Sequence, residues 1–261
     1  MSSGDSSAPR TAPEPSPTPV LQEAVHSTEV DLLKAAAADP ALTEDLALAL
    51  LKRNDLPLEI LEQLSKNSGV IKSRKLKLAI VRHPKTPRYV SMSMVRQLFT
   101  FDLMQVALTP MVPGDVRIAA EEALMNRLET ISSGEKLSLA RRASGRVAGS
   151  LLADAEPCVM HAALENARLT EALVIRALMS PPASAAFVRA VCDHSKWSLR
   201  HEIRVALLRN EKTPLWRAAE FARTLPAALL REILQSSRLP ANIKSRVMKE
   251  LADRRGESSR R

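Results

Sequence analysis

Apolar positions recur every three to four residues along most of the chain, and polar residues separate them. Each such stretch is short and predicts an amphipathic helix. The predicted helices cover these ranges: 43–53, 57–66, 87–98, 113–128, 171–179, 199–209, 214–223 and 240–251. None is long enough for a coiled coil, and no apolar run approaches the ~18 residues of a membrane helix. The pattern therefore predicts an all-α chain and no membrane partner.

The joints between predicted helices repeat a threonine followed by proline or glutamate. Thr86-Pro87 and Thr213-Pro214 are predicted helix starts, in which threonine caps free N–H groups and proline occupies the first helical position. Thr43-Glu44 is a variant start with an acidic first turn. Joint residues Asn54, His83, Asn166 and Asn210 are interpreted as helix-end and turn residues, without a ligand.

The chain contains an internal repeat. A shift of 127 residues (204 − 77 = 127) places residues 77–124 on 204–251 without a gap, and VRHPKTP meets LRNEKTP at the joint. A shorter spacing of 44 residues (83 − 39 = 44) also recurs, and we interpret it as a two-helix unit of the HEAT or armadillo period.

The joints stand in the sequence as ADPALTEDL, RHPKTPRYV, ENARLTEAL and RNEKTPLWR. With these joints the chain resembles the HEAT-like α-solenoids, particularly degenerate bacterial HEAT proteins and variant leucine-rich-type helical repeat proteins. The resemblance implies a right-handed α-solenoid of stacked helical hairpins over residues 21–253, with a concave face on which partners dock. Some relatives process modified DNA bases, but the resemblance carries no catalytic residue to this chain.

The two ends differ from the repetitive part. Residues 1–20 are rich in Pro, Ser, Thr and Ala and are predicted to be a disordered tail, because they cannot bury enough apolar surface. Residues 254–261 are a basic tail that is expected to fray.

Composition argues against several classes of protein. Aromatic residues make up 3% of the chain and only 7 glycines occur, which is too few for a sandwich or barrel. The sequence has no glycine-rich phosphate loop, no HExxH and no GxSxG motif. We therefore expect a non-enzyme without a cofactor or an evident small-molecule substrate. Two cysteines and no secretory signal favour a reducing cytoplasm.

The net charge of +9 allows an anionic partner. Our first hypothesis is a scaffold or adaptor that binds a protein through the concave face. The alternative is a nucleic-acid-binding solenoid that grips the phosphate backbone through Lys and Arg, and a base-processing enzyme comes third. Scarce aromatic residues weaken single-strand binding, which needs stacking platforms.

Three arginines each precede a joint residue: Arg53, Arg82 and Arg209. Such a cation can stabilise the negative end of its helix, which we favour, or it can belong to an arginine ladder that holds an acidic partner. Arg96 and Arg223 are predicted to repeat in the middle of equivalent helices, where they either contact a partner or face solvent.

Two basic clusters are candidate phosphate contacts, and a solvated helix face is the favoured alternative. The clusters contain Lys72, Arg74 and Lys75, with Lys77 beside them, and then Arg141, Arg142 and Arg146.

The cysteine–histidine pairs and the aromatic residues are the remaining candidate site residues. Cys158 with His161, and Cys192 with His194, could form a zinc site, but ordinary packing is favoured and no metal is expected. Four aromatic residues could form a binding cage, but core packing is favoured for them: Tyr89, Trp197, Trp216 and Phe221.

Overall fold

The computed structural model describes residues 19–181 and 183–258, which form seventeen α-helices and no strand. The helices of the first half are α1 (Pro19–His26), α2 (Val30–Ala38), α3 (Glu44–Leu51), α4 (Leu58–Lys66), α5 (Arg74–Arg82), α6 (Arg88–Val95), α7 (Thr100–Leu108) and α8 (Gly114–Met125). Those of the second half are α9 (Ser133–Arg142), α10 (Gly145–Leu151), α11 (Pro157–Leu164), α12 (Glu171–Met179), α13 (Ala185–Asp193), α14 (His201–Arg209), α15 (Leu215–Thr224), α16 (Ala227–Ser236) and α17 (Ala241–Ser258). The predicted all-α class is confirmed.

The described residues include only part of each predicted tail. Helix α1 begins at Pro19, so the last two residues of the predicted disordered tail are helical and the remainder lies outside the described residues. Helix α17 continues to Ser258 and so includes part of the stretch expected to fray.

The internal repeat extends over seven consecutive helices. Helices α11 to α17 each begin 127 residues after their counterparts α2 to α8, as the starts of α12 at Glu171 and α3 at Glu44 show (171 − 44 = 127). We call α2–α8 the first repeat and α11–α17 the second repeat. The sequence predicted this register for residues 77–124, and the helix starts extend it back to Val30.

The 44-residue spacing has a different meaning from the one predicted. It separates the ends of α2 and α5, so it spans three helices rather than one helical pair. Alternate helices begin closer together, as α2 and α4 do (58 − 30 = 28), because α2 and α3 each have little more than two turns and the joints are short.

The described residues divide into two compact units. Unit 1 contains the described residues up to Leu98 together with 110–116, and unit 2 contains 99–109 and the described residues from Arg117 onward. Each unit is built from two rows of helices, in which a helix packs on its next and second-next neighbours in the sequence.

In unit 1, the first row contains α2, α4 and α6, and the second row contains α1, α3 and α5. In unit 2, the first row contains α9, α11, α13, α15 and α17, and the second row contains α10, α12, α14 and α16. Leu, Val, Ile and Ala side chains of both rows meet in the interior, for example Leu61, Leu76, Val188 and Leu207. Contacts between near neighbours in sequence are typical of helical repeat proteins.

Side chains of several joint residues hydrogen-bond to the ends of earlier helices. The Asn166 amide nitrogen donates to the carbonyl oxygens of Ala140 and Ala143, and its Oδ1 accepts from the backbone N–H of Arg168. Asn67, which sequence reasoning overlooked, donates to Ala37 and Asp39. Such bonds satisfy helix-end carbonyls that have no partner within their own helix.

The same arrangement recurs at other joints. Asn210 Nδ2 donates to the Leu178 carbonyl, and His83 Nε2 lies 3.0 Å from the Arg53 carbonyl oxygen. The Trp197 indole N–H donates to the Leu164 carbonyl. The prediction of turn residues is therefore confirmed for His83, Asn166 and Asn210, which also connect helices, whereas Asn54 is an exposed turn residue.

Two of the predicted threonine caps are wrong. Thr86 and Thr213 are buried, and their hydroxyls donate backward to the carbonyls of Ile80 and Leu207. Pro87 and Pro214 themselves take the cap position before α6 and α15. The joint turns each threonine toward the unpaired carbonyls of the preceding helix. Thr43, in contrast, accepts from the Leu46 N–H as predicted.

Candidate functional site

Two large aromatic side chains are exposed at equivalent positions of the two repeats. Tyr89 is the second residue of α6 and Trp216 the second residue of α15, and their exposed fractions are 61% and 57%. The prediction that both belong to the core is wrong, because the buried faces of these helices are formed by other residues, such as Val90 and Phe221. Trp197 and Phe221 are buried as predicted.

Tyr89 lies on the first row of unit 1. Its hydroxyl hydrogen-bonds the Glu62 carboxylate of α4, and this bond raises the pKa of Tyr89. Leu58 on α4 and Met92 on α6 are also exposed. This row therefore presents an aromatic ring, further apolar side chains and a carboxylate.

Trp216 lies on the first row of unit 2, with Arg217 stacked over its ring at 4.3 Å from the ring centre. The Arg217 guanidinium also binds Asp193 of α13 at 2.9 Å and Glu220 of its own helix at 2.8 Å. These bonds hold Arg217 in place, and a guanidinium stacked on an indole restricts the rotation of the ring. Arg217 and its two carboxylates therefore limit the freedom of the Trp216 ring.

A groove of about 740 Å³ lies between α11 and α13 of the same row. Met160 and Pro157 of α11 line one side, and three alanines of α13 line the other: Ala185, Ala186 and Ala190. His161 and Arg189 are exposed at its rim. The groove thus combines an apolar surface with a few polar groups.

His194 also lines this groove. Its side chain is only 8% exposed, and Nδ1 accepts from the backbone N–H of Lys196, which assigns the proton of the neutral ring to Nε2. Nε2 lies 3.1 Å from Glu165 Oε1, but without the alignment of a hydrogen bond. The two atoms are close enough for an electrostatic contact, but they do not form a hydrogen bond.

The three joint arginines do not share one environment. Arg53 donates to the carbonyls of Val25 and Ser27 and pairs with Asp55 at 2.9 Å. Arg82 is exposed, while Arg209 is half-buried and lines a polar cavity of about 750 Å³. Arg53 therefore binds carbonyl groups at a helix end, as in the favoured structural interpretation, although these belong to the end of α1 rather than to its own helix.

Arg96 and Arg223 lie at helix ends. Arg96 follows the last residue of α6, which ends at Val95 and so sooner than the predicted range, and Arg223 is in the last turn of α15, which ends at Thr224. Both side chains are exposed. They are therefore not in the middle of their helices, as the sequence predicted.

The two basic clusters belong to different units. In unit 1, Lys72 and Arg74 are exposed near the start of α5, and Lys75 pairs with Glu44 at 3.2 Å. In unit 2, the cluster contains Arg141 and Arg142, which are exposed at the end of α9, and Arg146, which pairs with Glu121 at 3.1 Å. Carboxylates thus take up part of the positive charge in each cluster.

The cysteines lie on neighbouring helices of the first row, Cys158 exposed on α11 and Cys192 buried on α13. Within the described ranges, no group of three or more His, Cys, Asp or Glu residues is arranged to hold a metal ion. Of the described helices, none is both long and apolar enough to cross a membrane.

Sequence reasoning missed the groove and the exposed aromatic pair. One signal for the groove was available, since the 127-residue shift places the three alanines of α13 opposite larger residues of α4, namely Leu58, Glu59 and Gln63. Tyr89 and Trp216 are equivalent under the 127-residue shift, but no local sequence pattern indicates that their side chains are exposed.

Comparisons with known proteins add no family to these observations: no family model, no curated protein and no solved structure matches the chain.

Proposed function

We propose that this protein is a non-catalytic interaction module of the helical-repeat kind, which binds a protein partner through the exposed first-row helices of its units. The observation that carries the proposal is the exposure of Tyr89 and Trp216 at equivalent positions of the two repeats. Trp and Tyr are enriched among the residues that dominate binding energy in protein interfaces. In a chain with only 2 Trp and 1 Tyr, their placement at one repeated surface position favours recognition.

The surroundings of the two rings suit a protein surface. Exposed Leu58 and Met92 near Tyr89 supply apolar contact area, and the carboxylate of Glu62 adds a polar group. Arg217 over Trp216 provides a planar cation that is held by two carboxylates. Mixed apolar and polar character of this kind is typical of interface centres surrounded by a polar rim.

The helical-repeat assignment rests on the register of the two repeats and on packing between near neighbours in each unit. A HEAT-like solenoid, with its concave binding face, is our interpretation of that pattern. The spacing of alternate helices, 28 residues between α2 and α4, is shorter than the roughly 40–47 residues of typical HEAT and armadillo repeats.

Binding of nucleic acid is the alternative outcome of the same experiments. Part of the charge in both basic clusters is neutralised by Glu44 and Glu121, which favours a protein partner. A nucleic-acid complex would weaken steeply as salt rises, because phosphate contacts release counterions.

The test begins with capture of partners from cells that express the protein, followed by titration calorimetry with the purified partner. We expect Trp216→Ala and Tyr89→Ala each to weaken binding by about tenfold or more, which corresponds to the ~1.4 kcal/mol or more that interface anchors contribute. Met179→Ala is the matched control, because Met179 is an exposed apolar residue of the second row in unit 2.

Equal affinities for the wild-type protein and both aromatic variants would refute the proposal. A parallel titration with duplex DNA and RNA over a salt series addresses the alternative. Tight binding there, lost as salt rises and unaffected by the aromatic substitutions, would replace a protein partner with nucleic acid.

A further inference from the structure

Tyr89 and Trp216 are equivalent in the two repeats, but only one of their rings is covered by a cation. The Arg217 guanidinium lies 4.3 Å from the centre of the Trp216 ring. The residue equivalent to Arg217 in the first repeat is Val90 (217 − 127 = 90), which is buried and uncharged. Among the described residues, no Lys or Arg side chain is stacked on the ring of Tyr89, which is 61% exposed.

Both repeats, in contrast, supply carboxylates at this place. In the second repeat, Asp193 and Glu220 hold Arg217 at 2.9 and 2.8 Å. In the first repeat, the Glu62 carboxylate of α4 accepts a hydrogen bond from the Tyr89 hydroxyl. This bond keeps the carboxylate beside the ring, but a neutral phenol does not cancel its charge. The first repeat therefore has the aromatic ring and a carboxylate without the cation that joins them in the second repeat.

The charge beside the Tyr89 ring is negative. Glu59 is exposed one turn before Glu62 on α4, and none of the described residues forms an ion pair with either. Arg88 is the cation next in sequence to the ring, and Asp115 holds it at 2.8 Å. Lys66 is in the last turn of α4, one turn beyond Glu62 and without an ion pair to it. The group that would balance the charge at the ring is a further cation.

Apolar side chains extend the surface around the ring. Leu58 of α4 and Met92 of α6 are 47% and 41% exposed. A long cationic side chain can lay its methylene stem along such residues and keep its charged end in water. A guanidinium is also planar, so it stacks on an aromatic face and pairs with a carboxylate at the same time. The surface thus matches the stem, the plane and the charge of an arginine side chain.

We propose that Tyr89 and Glu62 form a binding site for an arginine side chain of the protein partner. The guanidinium stacks on the Tyr89 ring and pairs with Glu62, and its stem contacts Leu58 and Met92. The partner thereby supplies the cation that Arg217 supplies in the second repeat. The proposal rests on the proposed function, because it specifies one residue of the partner that the first row of unit 1 binds.

The probe is a phage-displayed library of 12-residue peptides, selected on the full-length protein and depleted of peptides that also bind Tyr89→Ala protein. We expect the enriched peptides to share an arginine with apolar neighbours. Enrichment of sequences without a basic residue, or of none that depend on Tyr89, would overturn the proposal. The best sequence is then synthesised with a fluorescent label in two versions, one with the arginine and one with citrulline, which keeps its shape and lacks its charge.

Affinities of the two peptides are measured by fluorescence anisotropy against four proteins: wild type, Tyr89→Leu, Glu62→Gln and Glu23→Gln. Tyr89→Leu keeps an apolar side chain but removes the aromatic face, and it should weaken the arginine peptide by about two- to fivefold. Glu62→Gln should weaken it by roughly three- to fivefold, the upper range for an exposed ion pair. Glu23→Gln is the matched control, because it removes an exposed carboxylate from the second-row helix α1, and it should have no effect. Circular dichroism checks that each variant retains its helical content.

The citrulline peptide separates the charge from the rest of the contact. It should bind wild type about tenfold more weakly than the arginine peptide, because both the stacking and the ion pair need the positive charge. It should also bind wild type and Glu62→Gln equally, since the partner of the carboxylate is already removed. Equal losses for both peptides in Glu62→Gln would show that the carboxylate acts without the arginine, and the proposal would fall.

The outcomes separate this proposal from the broader one. If Tyr89→Ala and Trp216→Ala weaken captured partners but wild type binds the arginine and citrulline peptides equally, the arginine site is overturned and the proposed function stands. If neither aromatic substitution affects captured partners, both proposals are overturned.

Discussion

Asn166 gives the most direct test of how the joints hold the helices together. Its side chain is buried, and it forms bonds of 2.7 Å to the Ala140 carbonyl, 3.2 Å to the Ala143 carbonyl and 2.7 Å from the Arg168 N–H. Asn166→Ala leaves all three backbone groups without this partner. At about 1 kcal/mol for each group, the low end for a buried group without a hydrogen bond, the loss is about 3 kcal/mol.

Asp39→Ala is the matched control, because Asp39 occupies the equivalent position of the first repeat. The Asp39 side chain is only half-buried and accepts one bond, from the Ala41 N–H at 2.8 Å. Its removal should cost about 0.5–1 kcal/mol, the usual net value of one hydrogen bond. The two substitutions therefore differ in expected cost by about 2 kcal/mol, although both truncate a joint residue to alanine.

Urea unfolding measures the difference. Both tryptophans, Trp197 and Trp216, belong to unit 2, so their fluorescence reports on the unit that contains Asn166. With a slope of ~2 kcal/mol/M, Asn166→Ala should lower the midpoint by about 1.5 M. Circular dichroism follows Asp39→Ala, which lies in unit 1. A cost for Asn166→Ala no larger than that for Asp39→Ala would refute the assignment of helix-connecting bonds to this joint.

Three further results are expected from the same structure. Gly145→Ala should destabilise the protein by about 1–3 kcal/mol in urea unfolding, because the added Cβ would overlap the backbone carbonyl oxygen of Arg168. Gly149→Ala, whose added Cβ would have its nearest contact at 3.5 Å, should be neutral or stabilising. Asp55→Asn should lower stability at neutral pH. The hydrogen bond from Arg53 lowers the pKa of Asp55 to about 2, so the charged carboxylate contributes its full stability above the ordinary pKa of about 4. The difference in unfolding free energy between wild type and variant should therefore vanish as the pH falls to about 2. A difference that stays constant with pH would contradict this. Burial raises the pKa of the Cys192 thiol to about 12, so a thiol reagent at pH 8 should label exposed Cys158 and reach Cys192 only after unfolding; rapid labelling of both would show that α13 opens readily.

The helices and the repeat were largely predictable from the sequence. Apolar spacing located most of the helices, since a helix that buries one face must repeat its apolar residues at three and four positions. Helix α6 illustrates the limit: the predicted range ran to residue 98, whereas the helix ends at Val95, and this shift moved Arg96 to a helix end.

The joints were predictable as turns but not as connections. Asn166 is recognisable as a turn residue from its immediate neighbours, yet its amide donates to carbonyls 23 and 26 residues earlier. Thr86 likewise donates backward, to a carbonyl six residues away, rather than forward as a helix cap. These bonds depend on how one helix packs on an earlier one, which local propensity does not encode.

Exposure of the candidate surface was the hardest property to predict. Tyr89 and Trp216 are apolar residues in amphipathic helices, and on that basis they were assigned to the core. Whether such a residue is covered depends on side chains contributed by the neighbouring helices of its row. In both repeats, the buried faces of α6 and α15 are turned away from these two rings.

The central proposal is that exposed first-row helices, which carry Trp216 in unit 2, are covered by a protein partner. It is tested most directly by site-specific photo-crosslinking in cells, with p-benzoyl-phenylalanine at position 216. The control positions are 202 and 75, equivalent exposed positions on the second-row helices α14 and α5. We predict that position 216 forms a defined adduct with a partner protein. An excess of wild-type protein should reduce the yield of this adduct strongly, whereas an excess of Trp216→Ala protein should reduce it only weakly. Adducts of equal yield from positions 202 and 75, or none from position 216, would contradict the account.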